Sequence, residues 1–386
     1  MTIRPRFISL ILLLGMLAAG CSEAPVAPAE TSEAASLPLL ASGRVLSLSA
    51  YGSADLPAEG TPERALFDDA VTGGLRGFTF YVDWPDLEPE PGVYTLDDFT
   101  EALDAVQALG LTPFVNLTVG DIEDYNLPDD LSDGSGGLGD GVSLDDPAII
   151  ERFGRVLDRV VPILAARGGF YLGVGNEIDS RFDGEFPEER APYVRFVEAA
   201  RERVHDIEPR LAVGVTLTAG AIRAQSQTFR DLRAVTDIIP FNYGPIQLDV
   251  PLEDFFTVFA LDDILDDFRE VAAAYGSGPI AIQELTCPSP ESMGASDAWQ
   301  RGCFERLFAE IGRTPQVRFA SIFTFQDFGG ATCDLFNEAI WGDELDDLPP
   351  ALAQRLRDYV CFLGVVAPDG TPKPAWNVVR TAASQS

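Results

Sequence analysis

The 386-residue sequence has one histidine, His205, and one lysine, Lys373. A serine or cysteine nucleophile activated by imidazole would have to use His205. That residue falls within a helical pattern, on the outer side of any sheet and far from a strand end. With one imidazole and no Cys-x-x-Cys pair, a Cys/His zinc site lacks its ligands. Neither G-x-G-x-x-G nor G-x-x-x-x-G-K-[ST] follows an early strand, so nucleotide-binding open sheets lose support. Positive charge is scarce too: 27 basic residues face 61 acidic ones, a net charge of −34. Such a surface argues against nucleic acid or an anionic membrane surface as partner, and suits a neutral substrate or a saline habitat. A single lysine beside 26 arginines reads as genome composition rather than mechanism.

The longest apolar stretch is confined to the first 21 residues. MTIRPRFISLILLLGMLAAGC has Arg4 and Arg6, an apolar run from Phe7, then small residues before Cys21. This is the layout of a secretory signal, too short and wrongly flanked for a membrane span. The ending Leu17-Ala18-Ala19-Gly20-Cys21 resembles the bacterial lipobox, with Ala18 where leucine is commoner. The resemblance implies that Cys21 is lipidated and becomes the mature N-terminus of an exported lipoprotein. Ser22 resembles the outer-membrane sorting pattern. The membrane would then be met through the lipid only, at roughly 0.8 kcal/mol per buried methylene. Residues 22–40, rich in Ala, Pro, Glu and Ser, cannot bury enough to order themselves and read as a tether. The folded part is expected over 41–380 as one domain, since no composition break divides it, and as a monomer.

If Cys21 carries lipid, four cysteines remain, an even number that suggests two disulfides in an exported chain. Three connectivities are possible. Sequence proximity favours Cys287 with Cys303 and Cys333 with Cys361.

Eight short apolar runs are candidate strands, at 44–50, 77–82, 112–118, 170–175, 211–217, 236–242, 279–285 and 319–325. They read as almost continuously apolar, which marks strands buried on both faces of a parallel sheet. Helical patterns lie between them. DDFTEALDAVQALG at 97–110 opens on acidic residues and stops at glycine, and 146–169 does the same over a longer span. Over 191–209 Tyr193, Phe196, Val197, Ala200 and Val204 recur at helical spacing. Eight alternations predict an α/β fold of the (β/α)8 TIM-barrel type, with a doubly wound open sheet as the alternative. The Gly/Asp-rich stretch at 129–146 fails the EF-hand pattern, because Leu131 stands at the third position from Asp129; it reads as a solvated loop. The segment 326–350 carries no readable code.

In such a barrel the working residues sit at the C-terminal ends of strands. Glu177, in GVGNEID, follows the fourth strand, and Glu284, in PIAIQEL, ends the seventh. Two glutamates on opposite sides of one mouth are what retaining glycoside cleavage needs: a general acid and a nucleophile about 5–5.5 Å apart, with no metal or cofactor. Asn176 adds a donor for the sugar 2-hydroxyl, and Asp179 reads as a loop-orienting residue. Trp84, Trp341 and Tyr81 are aromatic faces on which a sugar ring could stack.

The chain resembles the clan A superfamily of (β/α)8 retaining glycoside hydrolases. Those enzymes carry Asn-Glu after strand four as acid/base and Glu after strand seven as nucleophile, matching Asn176-Glu177 and Glu284. WPDLEPEPGVY at 84–94 and DGTPKPAW at 369–376 are similar to further stretches of that superfamily. The resemblance implies cleavage of β-linked oligo- or polysaccharides, with Tyr243 contacting the nucleophile. It also puts Phe325 in place of the usual strand-eight tryptophan. The strand-two arginine of many members is missing, with Phe78 or Phe80 in its place and Arg76 at the wrong end. These departures motivate a second reading, a barrel that binds carbohydrate at the cell envelope without cleaving it.

Overall fold

The computed structural model describes residues 43–49, 56–248 and 250–385. The expected signal with Cys21, and the tether at 22–40, lie outside the described residues.

Eight parallel strands form the centre: β1 (Val45–Ser49), β2 (Gly77–Val82), β3 (Thr112–Leu117), β4 (Tyr171–Asn176), β5 (Ala212–Thr218), β6 (Phe241–Tyr243), β7 (Ile280–Leu285) and β8 (Val317–Ile322). Each pairs with its neighbours in chain order, and β1 pairs with β8 through Val45↔Phe319 to Leu48↔Ile322. Pairing of β3 with β4 completes a closed ring, a TIM barrel. All residues of β1 and β4 are buried, as continuous apolar patterning predicts for strands covered on both faces. The eight expected strands are all present. The sixth is shifted, because 236–240 leads into β6 and contributes only a bridge between Ile238 and Gly214.

An outer ring comprises α1 (Pro62–Gly73), α2 (Asp97–Ala108), α3 (Pro147–Ala166), α4 (Arg190–Ile207), α5 (Gln227–Val235), α6 (Ile264–Tyr275), α7 (Asp297–Arg313) and α8 (Pro374–Ala383). Their starts follow local chemistry. Thr61, Asp146, Ser226 and Ser296 each accept a backbone N–H in the first turn of α1, α3, α5 and α7. On α4 the buried residues are Tyr193, Phe196, Val197, Ala200 and Val204, the predicted stripe. His205 lies on the same helix and meets Asp237 at 2.9 Å, outside the barrel.

The barrel interior is layered. Its floor is aromatic: the Phe114 ring stacks on Tyr171 at 4.0 Å and on Phe319 at 4.4 Å. Above it, alternate inward positions are small and polar. Thr79 Oγ1 donates to Ser321 Oγ at 2.9 Å and lies 3.1 Å from Ser47 Oγ. Gly173 is required at this level, since a Cβ there would come within 2.6 Å of Asn116 Oδ1.

The span 326–361 is not loop alone. It holds helices Gly330–Trp341 and Pro350–Cys361, whose apolar sides pack with Phe255 into a cluster of their own beside the barrel mouth. Cys333–Cys361 joins these two helices, and Cys287–Cys303 ties the segment after β7 to α7. The pairing is the one that sequence proximity favours. Nearby, Lys373 Nζ and Asp327 Oδ2 form a buried ion pair at 2.5 Å. The ammonium also donates to Ser289 Oγ and the Gly364 carbonyl, while Asp327 Oδ1 accepts the Gly364 N–H. The chain leaving β8 is thereby pinned to the start of α8.

Cys287 and Cys303 close a loop of 16 residues. In the chain-entropy account, a loop of that length stabilises by about 3 kcal/mol. The Cys287→Ala/Cys303→Ala variant is expected to lose about that much in denaturant unfolding, with unchanged far-UV circular dichroism at zero denaturant.

Candidate active site

The C-terminal ends of the strands open on a cleft of about 1300 Å3. Tyr81, Asn176, Glu177, Asn242 and Glu284 line it together. Backbone irregularities help aim them. Strand pairing shifts register between Gly173 and Asn176 against β5, and between Ile282 and Glu284 against β6. Such a shift re-aims the side chains that follow. In a regular strand Gln283 and Glu284 would face opposite sides; here both reach the Tyr81 hydroxyl, at 3.4 and 2.7 Å.

Conformational strain collects at the same place. Four non-glycine residues among those described have φ near +50 to +61°: Ile122, Glu177, Gln225 and Phe256. All four line the cleft. The left-handed region costs such residues roughly 1–3 kcal/mol each, which persists where surrounding structure enforces it and clusters at functional sites.

A network of amides supports the two glutamates from below. Gln283 is fully buried, and its Oε1 accepts from Asn116 Nδ2 at 3.0 Å and Thr216 Oγ1 at 2.5 Å. Its Nε2 donates to Asn176 Oδ1 at 2.9 Å, where Asn242 Nδ2 also donates at 3.1 Å. Asn176 Nδ2 in turn donates to Asp121 Oδ1 at 2.9 Å. Asn242 also favours the ionised form of both carboxylates, Glu177 and Glu284.

Proton affinities are set by this enclosure. Burial raises Glu177 well above the usual carboxylate range, and the charges of Glu284, Asp179 and Asp121 raise it further against the Asn242 bond. Burial also raises Glu284, to about 7, while the Tyr81 hydroxyl draws it down by stabilising the anion and nearby Asp121 pushes it up. The two carboxyls therefore titrate as a pair rather than singly. Asp121 and Asp179 are each raised to about 6 by burial. Asp179 is committed to structure: it accepts the N–H and hydroxyl of Thr218 at 3.0 and 2.6 Å, tying the end of β4 to that of β5.

Several expected positions fall elsewhere. Tyr243 does not contact Glu284. Its hydroxyl donates to Asp267 at 2.8 Å on α6, because adjacent residues of β6 face opposite sides and Asn242 takes the inner one. Tyr81, expected as a stacking face, holds Glu284 instead. Trp84 is fully buried between Phe153 and Phe196, its Nε1–H donating to Glu88, and presents no face to a ligand. Phe325 packs edge-on against Phe67 and Trp376 in the core. Two residues earlier, Phe323 lines the cleft with its ring 6.4 Å from that of Tyr81. Trp341 lines the cleft from the helix after β8. Phe78 and Phe80 pack on each other, and Arg76 binds the carbonyls of Val71 and Leu75, so Tyr81 is the strand-two group that meets Glu284. Asn242, Gln283 and Asp121 escaped sequence reasoning; for Asn242 the signal was inward parity on a strand already identified.

No family profile matches the sequence, and no curated protein matches it significantly. Solved structures do. One is an exo-β-1,4-mannosidase from Opitutaceae bacterium strain TAV5, with 18% identity and a TM-score of 0.62 over 89% of this chain and 59% of that one. In fold, the chain is similar to GH5 and GH2 glycoside hydrolases. A GH5_18 protein from Bifidobacterium longum subsp. infantis aligns at 13% identity and TM-score 0.60, over 89% and 79% of the two chains. A GH2 β-galacturonidase from Eisenbergiella tayi, bound to galacturonate, aligns at 15% and 0.53, over 89% and 52%. The chain thus spans about three fifths of the mannosidase. At these identities the likeness is one of fold.

Removing the Tyr81 hydroxyl takes a donor from the ionised form of Glu284. The midpoint of Glu284 in Tyr81→Phe is therefore expected above the value of about 7. Carboxylate carbon chemical shifts followed against pH read this directly; an unchanged or lower midpoint would contradict it.

Proposed function

We propose that the chain is a retaining glycoside hydrolase acting on β-linked glycosides. The observation that carries the proposal is the pair itself: Glu177 just past β4 and Glu284 in β7 line one cleft, Glu284 bonded to Tyr81 and Glu177 among the charges of Glu284, Asp179 and Asp121. Retaining cleavage asks for two such carboxyls, one acid and one nucleophile. The names of the similar solved structures, a mannosidase and a galacturonidase among them, agree with this chemistry.

In the first step a carboxylate oxygen of Glu284 attacks the anomeric carbon as the bond to the leaving oxygen breaks. That oxygen takes the proton of Glu177. In the second step water attacks the same carbon, gives a proton to Glu177, and releases Glu284 as carboxylate. Asn176 lies beside Asp121 at the cleft and is assigned the sugar 2-hydroxyl. Tyr81 steadies Glu284 through its 2.7 Å bond and marks the developing ester oxygen.

Glu284→Gln is expected to abolish turnover, and a mechanism-based fluoroglycoside should label Glu284 in the parent protein. Labelling of another residue would overturn the assignment, and binding without cleavage across a panel of β-glucans, mannans, galactans and aryl glycosides would favour the non-catalytic reading. The same variant tests the linkage. A carboxyl whose affinity for protons rises on folding favours the folded state below its unfolded value, and that contribution is lost as pH rises through about 7. Glu284→Gln should therefore melt higher than the parent at pH 8 and show a smaller gain at pH 4.

We further propose export and attachment to the outer membrane through lipid on Cys21. Incorporation of labelled palmitate that disappears in Cys21→Ser is the expected result, and label retained in that variant would refute it.

A further inference from the structure

The cleft is not uniform around the glutamate pair. On the β2–β3 side it presents hydrogen-bonding groups: Asp83, Asp86, Asp121 and Asn126. Past Tyr359 the other side changes character. Tyr359 stands near both glutamates, its hydroxyl 3.4 Å from Thr286 Oγ1, and its ring meets Phe256 edge-on at 5.1 Å. From there the lining is mostly apolar, with Leu248, Val250, Phe255, Ile340, Trp341 and Leu356 in it and Gln247 at its edge. These side chains come from the segment around the short hairpin Ile246–Gln247/Thr257–Val258 and from the helices after β8.

The side chains of Leu248, Val250, Ile340, Leu356 and Val360 form no hydrogen bond to a hydroxyl, and the aromatic members of the wall, Phe255 and Trp341, add apolar ring faces. A second sugar laid on this wall would give up its water without replacement at each hydroxyl that meets it. An alkyl or aryl group would gain from the same contact. Two further features belong to this wall. Phe256 is held at φ +61°, which places a bulky residue in a conformation it adopts only under constraint. Leu252 and Leu335, two of the three large apolar residues left exposed in the described chain, sit on the two segments that build it.

We propose that this wall is a subsite for an apolar aglycone, so that the preferred substrates are β-glycosides of alkyl or aryl alcohols rather than longer sugar chains. The inference rests on the glycosidase reading for its word "aglycone", and on the geometry for its apolar site. The sugar ring takes the side rich in acceptors, and the group beyond the scissile oxygen takes the side without them.

The test uses alkyl 1-thio-β-glycosides, which resist cleavage, in glucose, mannose and galactose series. They are titrated calorimetrically, below their micelle concentrations, into the full chain carrying Cys21→Ser. Kd is expected to fall roughly two- to fourfold per methylene from methyl to octyl in at least one series. Leu248→Asn and Ile340→Asn should each reduce the octyl-to-methyl affinity ratio several-fold, with melting curves used to confirm that both variants fold. The parent series needs no variant, so the outcome does not hinge on them. A Kd independent of chain length, or a second sugar that tightens binding more than a hexyl chain does, would overturn the proposal. Chain-length dependence without hydrolysis of the O-linked counterparts keeps this inference and removes the glycosidase reading. Hydrolysis without chain-length dependence does the reverse.

Discussion

Two carboxylates that share an enclosed mouth cannot both ionise cheaply, and much of the upper barrel is arranged around that fact. Burial raises Glu177 and Glu284 together, and nearby charge adds to it, from Glu284 at Glu177 and from Asp121 at Glu284. What separates them is unequal support. Glu284 has the Tyr81 hydroxyl, whereas Glu177 sits among the charges of Glu284, Asp179 and Asp121. The donors must also be held still. Gln283, Asn176 and Asn242 form a chain of amides, each using its oxygen or nitrogen on the next, anchored below by Asn116 and Thr216. A buried network of this kind depends on pairing, which the polar inner layer above the aromatic floor supplies for most of its atoms, leaving Asn116 Oδ1 and Asn242 Oδ1 without a hydrogen bond among the described residues.

The barrel itself was legible because its strands are covered on both faces, leaving runs of apolar and small residues in β1, β4 and β5 that are buried almost throughout. Glu177 and Glu284 were legible because a carboxylate that closes a buried apolar run carries a desolvation cost which a surface position would avoid. Their immediate partners were not. Tyr243 and Asn242 are neighbours, and choosing between them requires the parity of a three-residue strand. Phe323 and Phe325 face the cleft and the core respectively, a distinction made where β8 has already ended. The shifts of register near Asn176 and Glu284 leave no mark in composition. Trp84 looked like a ligand face because its own partner, Glu88, is a buried carboxylate held by Arg152 from another helix. The helices after β8 were missed for a related reason: their apolar sides are completed by Phe255 and its neighbours, roughly a hundred residues earlier in the chain.

The acidic surface and the arginine-rich complement fit together differently from the core. Most arginines meet a carboxylate at the surface, as Arg203 does with Asp158 and Arg269 with Glu310. Exposed pairs of this kind contribute little one by one and are screened by salt. Their number still leaves a net charge of −34, so the balance of charge rests on solvent ions as well as on partners. Inside, by contrast, Arg152 with Glu88 and Lys373 with Asp327 are enclosed and hold segments that surround the mouth.

Lys373 has a consequence beyond that anchoring. It is the single lysine of the chain, and its ammonium is closed off by Asp327, Ser289 and Gly364. The barrel surface therefore offers no lysine amine to reagents that acylate or cross-link amines, and coupling chemistry of that type would leave the walls of the cleft untouched.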